Sequence, residues 1–237
     1  MQPAEYVAIV SEQASLLGDV AEGALDVAIP SCPEWAMADL VWHVSVVGDF
    51  WRQLVDGTID SPRAFGAGDR PADDDLVASY RAVLHRLVST LAAADPAAEV
   101  WTWSADHSAG FIQRRMAQEL TVHSWDGHRG RSVEQPIDAA VAVDGVEEFI
   151  EFFLPQIPVV DVGDGIHLHS SDANDRGEWL IRAGDGAWVT EHRHAKGTFA
   201  ARGPASDLLL LLWGRRRPED LQTFGDPEVF ARFTEPV

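Results

Sequence analysis

Cysteine is almost missing from this chain. Cys32 is the single one in 237 residues, so no intrachain disulfide can form and no cysteine-based zinc cluster can assemble. Positive charge is scarce as well: 18 Lys and Arg stand against 38 Asp and Glu, a formal net charge of -20. Nucleic acids and anionic membranes are held by clusters of Lys and Arg, so neither is an expected partner. Long apolar runs are lacking too. The longest, Leu208 to Trp213, is far too short to cross a bilayer. Met1-Gln2-Pro3-Ala4-Glu5 has neither a basic start nor a long apolar core, so no signal peptide is expected. There is no Gly-rich phosphate loop, no Gly-x-Ser-x-Gly elbow and no nucleotide fingerprint. What remains is a cytoplasmic soluble protein, one large domain or two small ones, whose 46% hydrophobic residues can bury a core.

Apolar periodicity predicts helices in the first half. Residues 4–22, 37–55, 73–95 and 111–128 each carry apolar side chains at helical spacing, and Asp73-Asp74-Asp75 suits a helix N-terminus. Four such helices make a bundle, with the Gly-, Pro- and Asp-rich stretch 56–72 as a long connection. A fifth helix is expected over 137–154, after Pro136. The character changes after Pro155 and Pro158. Residues 165–171, 178–183, 187–193 and 197–202 read as short strands, with Gly184-Asp185-Gly186 as a hairpin turn, followed by an apolar helix over 205–215. The fold class expected is α+β: a helical bundle over 1–155, then a small α+β domain over 156–237 with an antiparallel sheet.

Two distant stretches carry ligand-type side chains on apolar helix faces. Glu119 and His123 lie one turn apart beside Met116 and Leu120, and His43 shares its face with Leu40, Val44 and Val47. Polar groups there are costly unless paired or bound to a metal. Two imidazoles and a carboxylate on two bundle helices suit Zn²⁺ with an open coordination position, and nickel, cobalt or Fe(II) accept the same donors. Spacing alone leaves other readings open. A Glu-x-x-x-His pair also serves as a solvated ion pair, and a lone histidine as a core residue bonded to a carbonyl.

Ser31-Cys32-Pro33-Glu34-Trp35 followed by Asp39-Leu40-Val41-Trp42-His43 resembles the second-helix signature of the mycothiol-dependent maleylpyruvate isomerase family, within the DinB-like metalloenzyme superfamily. Gln118-Glu119-Leu120-Thr121-Val122-His123-Ser124-Trp125-Asp126 resembles its fourth-helix signature, with Gln118 where a histidine is common. Gly203-Pro204-Ala205-Ser206-Asp207-Leu208 through Trp213-Gly214-Arg215, and then Phe224-Gly225-Asp226, resemble its second domain. One departure is Ala36, where the family often has a threonine able to cap the second helix. The resemblance spans nearly the whole chain. It implies a DinB-like four-helix bundle, a C-terminal domain closing over the metal, and His43, Glu119 and His123 as ligands of Zn²⁺ or another divalent metal.

It also implies mycothiol as thiol cosubstrate. In the founding activity zinc holds the mycothiol thiolate, which adds to the double bond of maleylpyruvate; the new single bond rotates, and elimination gives fumarylpyruvate. Arg215 is then the first candidate for a clamp on substrate carboxylates, since a guanidinium forks onto a carboxylate; its other reading is a cation complementing a helix C-terminus, as for Arg216 and Arg217. Arg202 and Arg114 are weaker candidates. The expected function is an isomerase or S-transferase acting on a small electrophile, as a monomer or homodimer. The alternatives are a metal-dependent hydrolase and a non-catalytic metal-binding or regulatory protein of the same fold. The metal motif does not select the substrate.

Other residues invite plainer readings. Trp35, Trp42, Trp51 and Trp125 read as packing residues, while Trp101 and Trp103 precede the fourth helix and are candidates to line a pocket. His107 reads as an exposed loop histidine, and Asp126 as either a partner to His123 or a surface residue. Cys32 has no motif that argues for reactivity. His167, His169, His192 and His194 alternate along expected strands, which reads as two half-exposed pairs in preference to a second metal site.

Overall fold

In the computed structural model, residues 1–133, 135–173 and 176–234 are described. The chain divides into two compact units, Met1–Gln135 and Pro136–Val237. The first is built from α1 (Pro3–Ala21), α2 (Met37–Val55), α3 (Asp73–Ala93) and α4 (Ala109–Gly130). Apolar periodicity sets which face of each helix turns inward. α1 buries Tyr6, Val10, Ala14, Leu17 and Ala21, and α3 buries Leu76, Tyr80, Leu84, Leu87 and Leu91, each set spaced by three or four residues. α1 packs on α4 and α2 on α3, with further contacts between α1 and α3 and between α2 and α4. The Tyr80 hydroxyl crosses from α3 to donate to the Ala14 carbonyl at 2.9 Å.

α4 differs from its neighbours. Nearly every residue from Phe111 to Gly127 is buried, polar ones included: Gln113, Arg115, Gln118, Thr121, His123, Ser124 and Asp126. Gly127 allows α1 to press against it, because a Cβ there would lie 2.8 Å from Leu17 Cδ1 and 3.1 Å from Val20 Cγ1. The helix starts are secured locally. Ser108 Oγ accepts from the Phe111 N–H at 3.1 Å. At α2 the capping role passes from residue 36, an alanine, to Asp39, whose carboxylate accepts the Ala36 N–H at 2.9 Å.

The second unit opens on α5 (Ala139–Glu148), capped by Asp138 Oδ1 on the N–H groups of Ala140 and Val141. It continues through a π-helical turn, Phe149–Phe153, and a 3₁₀ turn, Leu154–Gln156. The fifth helix was read with the first domain, to residue 155. Its contacts with α6 (Ala205–Leu212) set it in the second unit, and the unit boundary falls at Gln135. The sheet holds β1 (Ile166–Ser170), β2 (Glu178–Ala183), β3 (Trp188–Glu191), β4 (Phe199–Gly203) and β5 (Gln222–Gly225), in the order β3-β2-β1-β4-β5. It is mostly antiparallel, but β1 and β4 run parallel, because β4 returns beside β1 after the β2–β3 hairpin. Gly184 and Gly186 form that hairpin's turn.

α6 is buried over Leu208–Leu212 and contacts α5, β1 and β4. It stops at Leu212, short of the expected 215. Gly214 takes the left-handed conformation (φ 70°), its N–H bonds the Leu211 carbonyl, and the Arg215 N–H bonds the Leu210 carbonyl. Two elements were not expected. β5 is a four-residue, largely exposed edge strand whose sequence has no alternation to betray it. The last helix, α7 (Pro227–Thr234), did carry a start signal: Asp226 before Pro227, with Asp226 Oδ1 accepting from Glu228 N–H. Its Phe230 stacks on Phe199, ring centroids 5.0 Å apart.

Gly225 ends β5 at φ 85°, and a Cβ there would collide with the Thr198 carbonyl oxygen, so a side chain is opposed by both conformation and space. Gly225→Ala should lower the unfolding free energy by about 1–3 kcal/mol. Urea denaturation measures this, and an unchanged midpoint would show that the end of β5 tolerates a side chain.

Candidate metal centre

The turn before α2 is closed on itself. Cys32 N–H bonds the Ile29 carbonyl, Trp35 N–H bonds the Cys32 carbonyl at 2.8 Å, and Ile29 N–H bonds the Trp35 carbonyl. Ser31-Cys32-Pro33-Glu34-Trp35 thereby becomes a fixed loop. It sets Ser31 against α4 and brings the Trp35 ring to 5.0 Å from that of His43. Leu40 and Val44, both fully buried, anchor α2 so that His43 between them is only half-buried.

The three side chains read as ligands come together. The donor atoms of His43, Glu119 and His123 lie within 4.8 Å of one another. His43 Nε2 and His123 Nε2 are each 3.3 Å from Glu119 Oε1. The two imidazole rings meet edge to face at 5.0 Å. Behind them, His123 Nδ1 donates to Asp126 Oδ2 at 2.9 Å, and Asp126 Oδ1 accepts from the Ser31 hydroxyl at 2.5 Å. Asp126 is fully buried, so of its two readings the partner to His123 stands. It holds the imidazole with Nε2 toward Glu119, the orientation that carboxylates give to ligating histidines.

Arg115 was not singled out from sequence. It is 6% exposed and donates from Nη2 to Glu119 Oε2 at 3.2 Å. Its spacing of four from Glu119 was the available signal, obscured by the adjacent Arg114. Trp101 packs on Phe50 and Trp51, and Trp103 lies against Phe111. His107 is exposed, as read. Arg215 lies in the second unit just past α6, half-buried, with Nη1 donating to the Trp213 carbonyl at 2.8 Å. That contact is of the kind a cation makes at a helix C-terminus.

Burial alone would raise the Glu119 carboxyl and lower the His123 imidazole. Their mutual attraction prevails. His123, the hydrogen bonds from His123 and His43, and the Arg115 guanidinium hold Glu119 well below the usual carboxylate range. Glu119 and Asp126 push His123 up to about 9. The donor set fits a divalent ion. Two imidazole nitrogens and a carboxylate oxygen converge, one imidazole is already oriented from behind, and an ion would replace the proton that the buried pair now shares.

These shifts set the pH behaviour of the metal-free protein. A histidine with a raised folded pKa contributes stability that is complete below its ordinary value of 6.5 and is lost as pH rises through about 9. Glu119, held low, contributes above its ordinary value of 4.5 and loses that contribution only as pH falls toward its depressed folded value. With chelator present, stability should therefore decline between about pH 7 and about pH 10 in a manner that His123→Ala removes. Denaturation midpoints across that range test it; an equal decline in the variant would show that His123 is not the group responsible.

Comparison with known proteins bears on the family and the fold. A profile of the mycothiol maleylpyruvate isomerase N-terminal domain matches residues 7–126, and one of the MDMPI C-terminal domain matches residues 140–232. Two solved structures align with a TM-score of 0.66, each covering 94% of this chain and 93% of its own. They are crystal structures of the mycothiol-dependent maleylpyruvate isomerase, 13% identical, and of a histidine-to-alanine variant of it, 12% identical. At such identity the likeness speaks to the fold. No curated protein sequence matches. With the first domain profile covering more than half of its length, the chain belongs to the mycothiol-dependent maleylpyruvate isomerase family.

Proposed function

We propose that this protein is a metal-dependent enzyme that uses a low-molecular-weight thiol, mycothiol, to isomerise or S-conjugate a small electrophile. The observation that carries this reading is the convergence of His43, Glu119 and His123, with the buried Asp126 behind His123. A divalent ion at these residues, Zn²⁺ first, supplies a Lewis acid that lowers the pKa of a coordinated thiol toward neutrality. The protein's own groups do the rest. Asp126 fixes the His123 ring, Arg115 offsets the Glu119 charge, and Trp35 packs at a tilt against His43. His43, the most exposed of the three donors, marks the side on which solvent reaches the site. Arg215 is proposed as the carboxylate clamp. Among the described residues no helix is long and apolar enough to cross a membrane. A thiol-using enzyme belongs in the cytoplasm, where such thiols stay reduced.

The first test is calorimetric titration of mycothiol into zinc-loaded and metal-free protein, with His123→Ala as the site control. Metal-dependent thiol binding, lost in the variant together with the bound zinc, supports the assignment and leads to a screen of electrophiles beginning with maleylpyruvate, the substrate named for the structural neighbours. Full zinc occupancy in His123→Ala would overturn the ligand set. Loss of thiol binding alone would turn the reading to a hydrolase or a non-catalytic metalloprotein.

Arg215 has its own test. As a clamp, Arg215→Ala should lower kcat/KM by about a hundredfold with metal content and thiol affinity unchanged. A residue that only complements the end of α6 would change the denaturation midpoint and leave turnover per folded molecule intact.

A further inference from the structure

A second group of metal-type donors lies in the other unit, outside everything the proposed reaction uses. β1 carries His167 and His169 on one face of the sheet, while Ile166 and Leu168, both fully buried, take the opposite face. The antiparallel register sets Glu178 of β2 directly across from His169. β3 ends at Glu191, so His192 and His194 are not strand residues as their alternation implied. They sit in the loop to β4, and that loop folds His194 back over the pair on β1. His192 instead faces Glu147, with Nδ1 3.5 Å from Oε1.

The donors of His167, His169, Glu178 and His194 all lie within 4.8 Å of one another. Glu178 sits among the three rings. His167 Nε2 is 2.5 Å from Oε2, while His169 Nδ1 and His194 Nδ1 are 2.7 and 3.0 Å from Oε1. Ring centroids are 5.1–6.0 Å apart and the planes are nearly perpendicular, 85–89°, so the rings are not stacked on each other. The site is graded in exposure. His167 is buried, Glu178 and His169 are half-buried, and the His194 side chain is 74% exposed. A single carboxylate ringed by three imidazoles, one of them from the 192–198 loop, is more than a sheet needs for its own packing.

We propose that His167, His169, Glu178 and His194 form a second metal site, distinct from the one on the helices. Three imidazole nitrogens and a carboxylate oxygen, with no thiolate, select a borderline divalent ion such as Zn²⁺, Co²⁺ or Ni²⁺ over Ca²⁺ or Mg²⁺. Two strands supply three rigid donors, and the loop supplies the fourth from the solvent side. The ion ties the 192–198 connection to the sheet, so its removal loosens that connection and leaves the strands in place.

The experiment uses the tag-free full chain, stripped by chelator and titrated with Zn²⁺ by calorimetry, with bound metal counted by elemental analysis. The chain should take two equivalents. His43→Ala/Glu119→Gln, which disables the helical site, should keep one. In that background His169→Ala, Glu178→Gln and the exposed His194→Ala should each weaken the remaining equivalent by at least about tenfold. His194→Ala guards against a folding artefact, and zinc should protect the 192–198 loop from proteolysis in the parent but not in this variant. One equivalent that the helical double substitution abolishes would overturn the second site while leaving the first intact. A second equivalent that survives the sheet substitutions would also overturn it. A single equivalent in the parent that survives the helical double substitution and is lost with the sheet substitutions would sink the helical site and uphold this one.

Discussion

The first unit depends on a buried charge problem and its solution on one helix. α4 is enclosed on nearly all sides, yet it carries Arg115, Glu119, His123 and Asp126. Each of these charges would be expensive in an apolar interior if it stood alone. Within four turns of one helix they neutralise one another in sequence, Arg115 to Glu119, Glu119 to His123, His123 to Asp126. Two further contacts come from outside α4: His43 from α2 and Ser31 from the closed turn before it. Those contacts fix where α2 begins and which way His43 points. The network positions the neighbouring helix as well as the donors.

The two units build convergent donors by different means. On the helices, Glu119 and His123 are one turn apart and a second helix supplies the third group. On the sheet, the two-residue period of β1 aligns His167 with His169, strand register brings Glu178 opposite, and a loop brings His194. Local spacing thus accounts for two donors of each group. The rest come from packing between separate elements.

That division explains what could be read in advance. Helix limits were legible because apolar periodicity is local: α2 spans the expected 37–55, and α3 begins at the acidic Asp73 as its macrodipole favours. The meeting of His43, Glu119 and His123 was legible from their place on apolar helix faces and from the resemblance of both stretches to a family. Arg115 was harder to read, because its spacing of four from Glu119 competes with an adjacent arginine, Arg114. β5 escaped because a short edge strand buries too little to impose alternation. The parallel pairing of β1 with β4 escaped because it is set by the path of the chain after a hairpin. Four histidines read as two solvated pairs regroup because β3 stops at Glu191 and frees His194 to turn back.

The end of α6 has a consequence for how this scaffold can change. Gly214, in its left-handed conformation, and the paired N–H contacts to Leu210 and Leu211 determine where the chain leaves the helix. The position of residue 215 is therefore written in the backbone. Its own side chain adds a contact from Nη1 to the Trp213 carbonyl. Any residue placed there is delivered to the same point, so selection can exchange the functional group at that address without rebuilding the helix that presents it.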